Sequence, residues 1–85
     1  MKFIKVHNIN NRPNQYWIKT PDAEYFQSYE SVIAMRTWKR IYLDVNFWDY
    51  STTTGKYRNI FLNENKKLTE TKIKNNTYLL VDLNN

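Results

Sequence analysis

Few residues in this chain could break or make bonds. His7 is the only histidine and there is no cysteine. His7 has neither a serine nor a carboxylate beside it, so a nucleophile or general base would lack the partner that activates it. Asp44, Asp49 and Glu30 match no metal-ligand spacing and read as single carboxylates solvating a basic surface. No catalytic residue, metal site or cofactor is expected. The absence of cysteine excludes disulfides and thiolate metal sites.

Binding chemistry has more to work with. The segment Trp48 to Leu62 holds four consecutive hydroxyl residues (Ser51 to Thr54), the only glycine (Gly55) and the triplet Lys56-Tyr57-Arg58. Thr53-Thr54-Gly55-Lys56 resembles the end of a Walker A loop, but that loop needs an upstream glycine and a Ser or Thr after its lysine. Tyr50 and Tyr57 stand at those places, which excludes an ATPase. A helix start with Thr hydroxyls and Lys56 could still hold one phosphate, although simple capping uses the same residues. A second group, Arg36, Trp38, Lys39 and Arg40, falls at a hairpin tip. With Lys56, Tyr57 and Arg58 it combines aromatic rings that can stack on bases with cations that can neutralise phosphates. Trp38, Arg40, Trp48 and Tyr50 are equally the residue types that anchor protein interfaces. No ribonucleoprotein, zinc-finger or helix-turn-helix signature accompanies them. The structural alternative is that Trp38 covers one end of a sheet and Tyr57 belongs to the core.

The elements that must position these groups follow from periodicity. Lys2 to Ile9 alternates as a strand, Asn8 to Asn14 is a loop and Gln15 to Thr20 a second strand, giving an N-terminal hairpin. Tyr25 to Ser28 is a short strand. Ser31 to Arg36 and Arg40 to Val45 form the clearest hairpin, with Ile41, Leu43 and Val45 on one face and Tyr42 and Asp44 on the other. Its turn lacks glycine, which predicts a loose loop. From Thr53 the period changes: Tyr57, Ile60 and Phe61 make one stripe of a helix capped within Ser51 to Thr54 and ended by Asn63 to Asn65. Thr69 to Asn75 reads as a second, shorter helix with a Thr cap, and Thr77 to Leu83 as a final strand. The expected fold is a single α+β domain spanning residues 1–85: a mostly antiparallel, twisted sheet of four to six strands with a short helical element before the last strand. Ile33, Ala34, Ile41, Leu43, Phe61, Leu80 and one face of the N-terminal hairpin are its predicted core.

Composition bounds the function. In 85 residues, three Trp, seven Tyr and four Phe must supply the core, each hiding about 150–250 Å² when buried. No run approaches the about 20 apolar residues that cross a bilayer, and the N-terminus lacks a signal-peptide apolar region; a cytoplasmic protein is expected. Twelve Asn, nine Lys and seven Ile stand against one Gly and two Pro, the usage of an A/T-rich gene. That bias inflates lysine, so the net charge of +5 argues only weakly for nucleic acid.

The pattern Ser28-Tyr29-x-x-x-Ile33-Ala34, Tyr42-x-x-x-x-x-Trp48-Asp49-Tyr50-Ser51-x-Thr53-Thr54-x-Lys56 and Phe61-Leu62, with Ile73-Lys74-x-x-x-Tyr78-x-Leu80-Val81-Asp82-Leu83, resembles small uncharacterised proteins of phages and prophages of low-GC Gram-positive bacteria. The likeness covers residues 25–83. A histidine often follows the lysine in that pattern, where this chain has Tyr57. The resemblance implies a phage-type origin and no reaction. Proteins of that origin and size are commonly stoichiometric binders, so the first expectation is a non-enzymatic inhibitor of host or defence nucleic-acid machinery, anti-restriction or anti-CRISPR in type. A direct nucleic-acid-binding regulator is second and a small toxin-type ribonuclease third. The partner is then a host or defence-system protein or nucleoprotein, or nucleic acid itself. The membrane is excluded, and homodimerisation through an exposed last strand stays open.

Overall fold

The computed structural model of the protein describes residues 4–85; Lys2 and Phe3, expected in the first strand, lie outside the described residues. Six strands form one sheet in sequence order: β1 (Lys5–Asn8), β2 (Gln15–Lys19), β3 (Glu24–Ser28), β4 (Ser31–Arg36), β5 (Ile41–Asp44) and β6 (Tyr78–Val81). Neighbours are antiparallel except β5 and β6, which run parallel. The helices α1 (Thr52–Leu62) and α2 (Lys66–Lys74) lie between those two strands in the chain, supplying the long crossover that a parallel pair requires. The α+β expectation holds, with two helices before the last strand.

Asparagine does the work that glycine does in most small domains. Asn10, Asn11, Asn14, Asn63 and Asn76 all have φ between 52° and 66°, a left-handed region that Asn enters more readily than other residues with a Cβ. Tyr29, at φ 55°, is the one other of the described residues held there. Codon bias and turn geometry thus converge on the same residue type.

Local chemistry sets the helix ends. Ser51 caps α1 by accepting from the Thr54 N–H, and Asn63 closes it in the left-handed conformation. For α2 the expected Thr69 cap is replaced. Asn65 Oδ1 accepts from the Leu68 N–H at 2.8 Å, so the helix starts a turn earlier and carries Thr69 inward. There the Thr69 hydroxyl donates to Glu64 Oε2 at 2.6 Å.

Both helices cover one face of the sheet. Phe61 and Tyr57 of α1 and Ile73 of α2 pack with Phe26, Ile33, Ala34, Leu43 and Tyr78, and Ile9 joins them from the short 3-10 turn after β1. Consecutive Ile33 and Ala34 are both buried because the register shifts at Phe26/Gln27; such a bulge sets two residues of one strand opposite one of the other. Three core assignments change, and the first is β1 of the N-terminal hairpin, which is exposed at all four positions. Leu80 is 39% exposed, since β6 is an edge strand, and Ile41 is only partly buried. Asp44, expected on the solvent side, is fully buried: Oδ2 accepts from the Asn46 and Phe47 N–H groups and Oδ1 from that of Leu83. It fastens the loop after β5 to the C-terminal tail.

Glu64 joins the helices to the last strand. Its Oε1 accepts from Lys72 Nζ at 2.8 Å and the Tyr78 hydroxyl at 2.9 Å. Burial opposes its ionisation, but the Lys72, Thr69 and Tyr78 bonds outweigh burial and hold the carboxyl below its ordinary value. The same balance lowers Glu24, where burial is outweighed by the Trp17 N–H bond and the Arg36 charge, and Asp49, where it is outweighed by bonds from Lys66 and Arg58. A carboxyl whose pKa is depressed on folding stabilises above its unfolded pKa, and that stabilisation is lost as pH falls through the folded value. Thermal stability should therefore be level from neutrality to about pH 5 and fall below about pH 4.5, with Glu64→Gln flattening the fall. A melting series from pH 3 to 7 with an unchanged profile in Glu64→Gln would remove Glu64 from that role.

Candidate partner-binding surface

The eight residues expected to bind a partner do not form one surface. Trp38, Lys39 and Arg40 precede β5 and Trp48 and Tyr50 follow it, so the length of that strand, about 13 Å, separates them. Helix α1 runs back along the sheet: it starts beside Tyr50, and its last turn reaches Arg36, whose Nη1 donates to the Phe61 carbonyl at 3.0 Å. Lys56, in its second turn, stays at the Tyr50 end.

The tip is tighter than its lack of glycine suggests. The Thr37 N–H donates to the Arg40 carbonyl at 2.9 Å. The Thr37 hydroxyl accepts from the Lys39 and Arg40 N–H groups at 3.3 and 3.1 Å. A side-chain oxygen thus replaces the backbone carbonyl that would otherwise close a two-residue loop. The result holds Trp38 out at 87% exposure, with Lys39 and Arg40 also exposed and the Lys39 ammonium 5.1 Å from the indole centroid. The idea that Trp38 covers the sheet end is corrected. Beside the tip, a cleft of about 700 Å³ is bounded by Asp22, Glu24, Arg36 and Trp38.

Three of the eight residues are engaged inside the domain. The Arg36 guanidinium lies 4.3 Å from the Phe61 ring centroid and 3.4 Å from Glu24 Oε1. Arg58, placed on the binding surface by its neighbours in sequence, is 1% exposed. It donates to the Trp48 carbonyl at 2.8 Å, Asp49 Oδ1 at 3.1 Å and Asn59 Oδ1 at 2.9 Å. Trp48 lies under that guanidinium, 5.2 Å away, and packs on the core. The helical stripe of Tyr57, Ile60 and Phe61 puts Arg58 one residue off that stripe, and it is enclosed between Gly55 and Asn59 of α1 and the Trp48–Asp49 segment.

At the other end Tyr50 is 70% exposed, edge-on to Phe47 at 5.6 Å. Next to it Tyr16, Tyr29, Phe47, Ser28 and Thr54 border a cleft of about 850 Å³. Of the hydroxyls in the phosphate reading, Thr54 is withdrawn, being buried, accepting from Ser51 and facing Ser28 at 3.5 Å, and Ser51 caps the helix, while Thr52 and Thr53 stay exposed. Gly55 lies within α1 without positive φ, and its N–H donates to the Ser51 carbonyl. Lys56 stays exposed, its ammonium 5.5 Å from the Tyr57 ring.

Among the described residues, no three His, Asp or Glu side chains gather as metal ligands do. His7 stacks on Trp17 at 5.5 Å, a packing role. No described helix is long and apolar enough to cross a membrane.

A family model described as a family of unknown function (DUF8033) matches residues 4–77. No curated protein and no solved structure matches the chain.

Proposed function

The chain belongs to this family of unknown function, DUF8033, and from that premise we propose that it is a non-enzymatic binding protein that engages its partner through the Trp38 tip. The observation carrying this reading is a tryptophan 87% exposed on a turn locked by Thr37. A rigid exposed indole loses little side-chain entropy on binding and buries a large area, which is how a few residues dominate an interface. Lys39 and Arg40 flank it, which favours an acidic protein surface and supports faster encounter more than affinity. The resemblance to phage and prophage proteins directs the partner toward host or defence nucleic-acid machinery in the host cytoplasm. Direct nucleic-acid binding ranks below this, because two of the cations it would use, Arg36 and Arg58, bond within the domain.

Partner capture from prophage-bearing cells, with and without nuclease, identifies what the tip holds. Trp38→Ala should then weaken binding by about 2 kcal/mol or more, roughly 30-fold, without changing the melting curve. Unchanged binding in Trp38→Ala, Lys39→Ala and Arg40→Ala would move the interface to the Tyr50 end. Partners lost entirely with nuclease, and a salt slope that falls by roughly 0.7–0.9 per cation removed, would put nucleic acid first.

A further inference from the structure

The sheet has a second face, turned away from both helices. Strand register sets Val6 beside Ile18, Ile18 beside Tyr25, Tyr25 beside Met35, Met35 beside Tyr42 and Tyr42 beside Leu79. One row of apolar and aromatic side chains therefore crosses all six strands. A shorter row of Tyr16, Gln27 and Val32 runs next to it. The helices pack on the opposite side, where Phe61, Tyr57 and Ile73 meet Phe26, Leu43 and Tyr78. The rows meet the start of α1 only at one end, in the cleft that Val6, Tyr16, Ile18 and Gln27 share with Tyr50 and Thr54.

Neither row contains a charged residue, in a chain of net charge +5. Lys19, Glu24 and Arg36 of the same strands stand in a row of the helix side instead, where Arg36 lies over Phe61 and Glu24 bonds Trp17. A nucleic acid would need cations on this face, and among the described residues its two rows carry none. Six strands about 4.8 Å apart and about five residues of 3.3 Å deep make a face of about 450–500 Å² before side-chain relief. Two such faces together cover about 900–1,000 Å², at the about 1,000 Å² that a specific interface must reach.

We propose that this face is closed by a second copy of the chain, the two sheets packing face to face as a β-sandwich across a two-fold axis. Identical neutral faces meet without bringing any charge of the two basic chains into the contact. Aligned sheets pack about 10 Å apart with interdigitated side chains, which suits a row of Tyr, Met, Ile and Leu. The Trp38 tip lies at the strand ends, outside the row, and remains free in each copy.

Sedimentation equilibrium of the full chain from about 1 to 200 μM tests this. The expected result is a monomer–dimer equilibrium, with Tyr42→Lys and Met35→Lys each raising the dimer dissociation constant by about 100-fold or more. Circular dichroism confirms that the variants fold, and Tyr25→Gln provides a milder change at the same row with a smaller shift. Trp38→Ala should leave dimerisation untouched, which separates this surface from the tip. A wild-type chain that stays monomeric at about 200 μM overturns the proposal. So does a dimer that survives both lysine substitutions, which would place the contact at the β1 or β6 edge. A monomer that instead holds a different protein, or a single-stranded oligonucleotide, through this row also overturns it.

Discussion

Arg58→Ala should cost about 3–5 kcal/mol of folding stability, a large part of the about 5–15 kcal/mol that holds a small domain together. The guanidinium makes three hydrogen bonds within the domain, to the Trp48 carbonyl, Asp49 and Asn59, and sits 5.2 Å from the Trp48 ring. Alanine leaves a void under the loop 45–51 and a buried carbonyl without its donor. Asp49 keeps Lys66, whose Nζ is 2.7 Å from its Oδ2, so the loss falls on the Trp48 loop more than on the carboxylate. Arg58→Lys should recover only part of the stability, because one ammonium cannot repeat a planar fork that reaches three acceptors. Urea denaturation measures both, with the exposed Lys56→Ala as a control expected within about 0.5 kcal/mol of wild type. An Arg58→Ala protein that melts like wild type but loses its partner would return Arg58 to the binding surface.

Phe61→Ala should cost about 3–5 kcal/mol, and Leu80→Ala less than about 1 kcal/mol. Phe61 is the ring on which the helix layer meets the sheet. It lies edge-on to Trp17 at 5.0 Å and stacks with Phe26 at 6.1 Å, and Arg36 covers its face. Truncating it removes the floor beneath Arg36, so the tip should lose rigidity and the Trp38-dependent affinity should fall as well. Leu80 points to the same side from the edge strand, where no further strand shields it. Equal losses in the two variants would show that β6 is covered by something beyond this chain.

Much of the architecture was legible in the residues. Alternation marked β1 and β5, because a half-buried strand shows period two, and apolar or aromatic runs between turn residues marked the other four within a few positions. The shift to Tyr57, Ile60 and Phe61 marked α1, and the hydroxyl run confined its cap to Ser51–Thr54, of which the fold uses Ser51. The misplaced start of α2 is instructive. Thr69 and Asn65 can each cap a helix, and local sequence does not choose between them. Glu64, brought within 2.6 Å of Thr69, draws the threonine inward and leaves Asn65 as the cap.

The binding residues were read from proximity along the chain, and proximity misled at Arg58 and Arg36. A cation is solvated by default, and nothing within Lys56-Tyr57-Arg58 tells the buried one from the exposed one. The difference lies in carbonyls and carboxylates supplied by Trp48, Asp49, Glu24 and Phe61, residues that meet these arginines only after folding. Asp44 follows the same logic: its partners, the N–H groups of Asn46, Phe47 and Leu83, gather around it only when β5 and the tail lie side by side. By itself the sequence determined what short-range physics controls: strand and helix periods, caps, left-handed Asn turns and the aromatic supply of the core. Tertiary structure alone decided which charges are internal, which tryptophan is free and which sheet face is left open, because each depends on groups far apart in the chain.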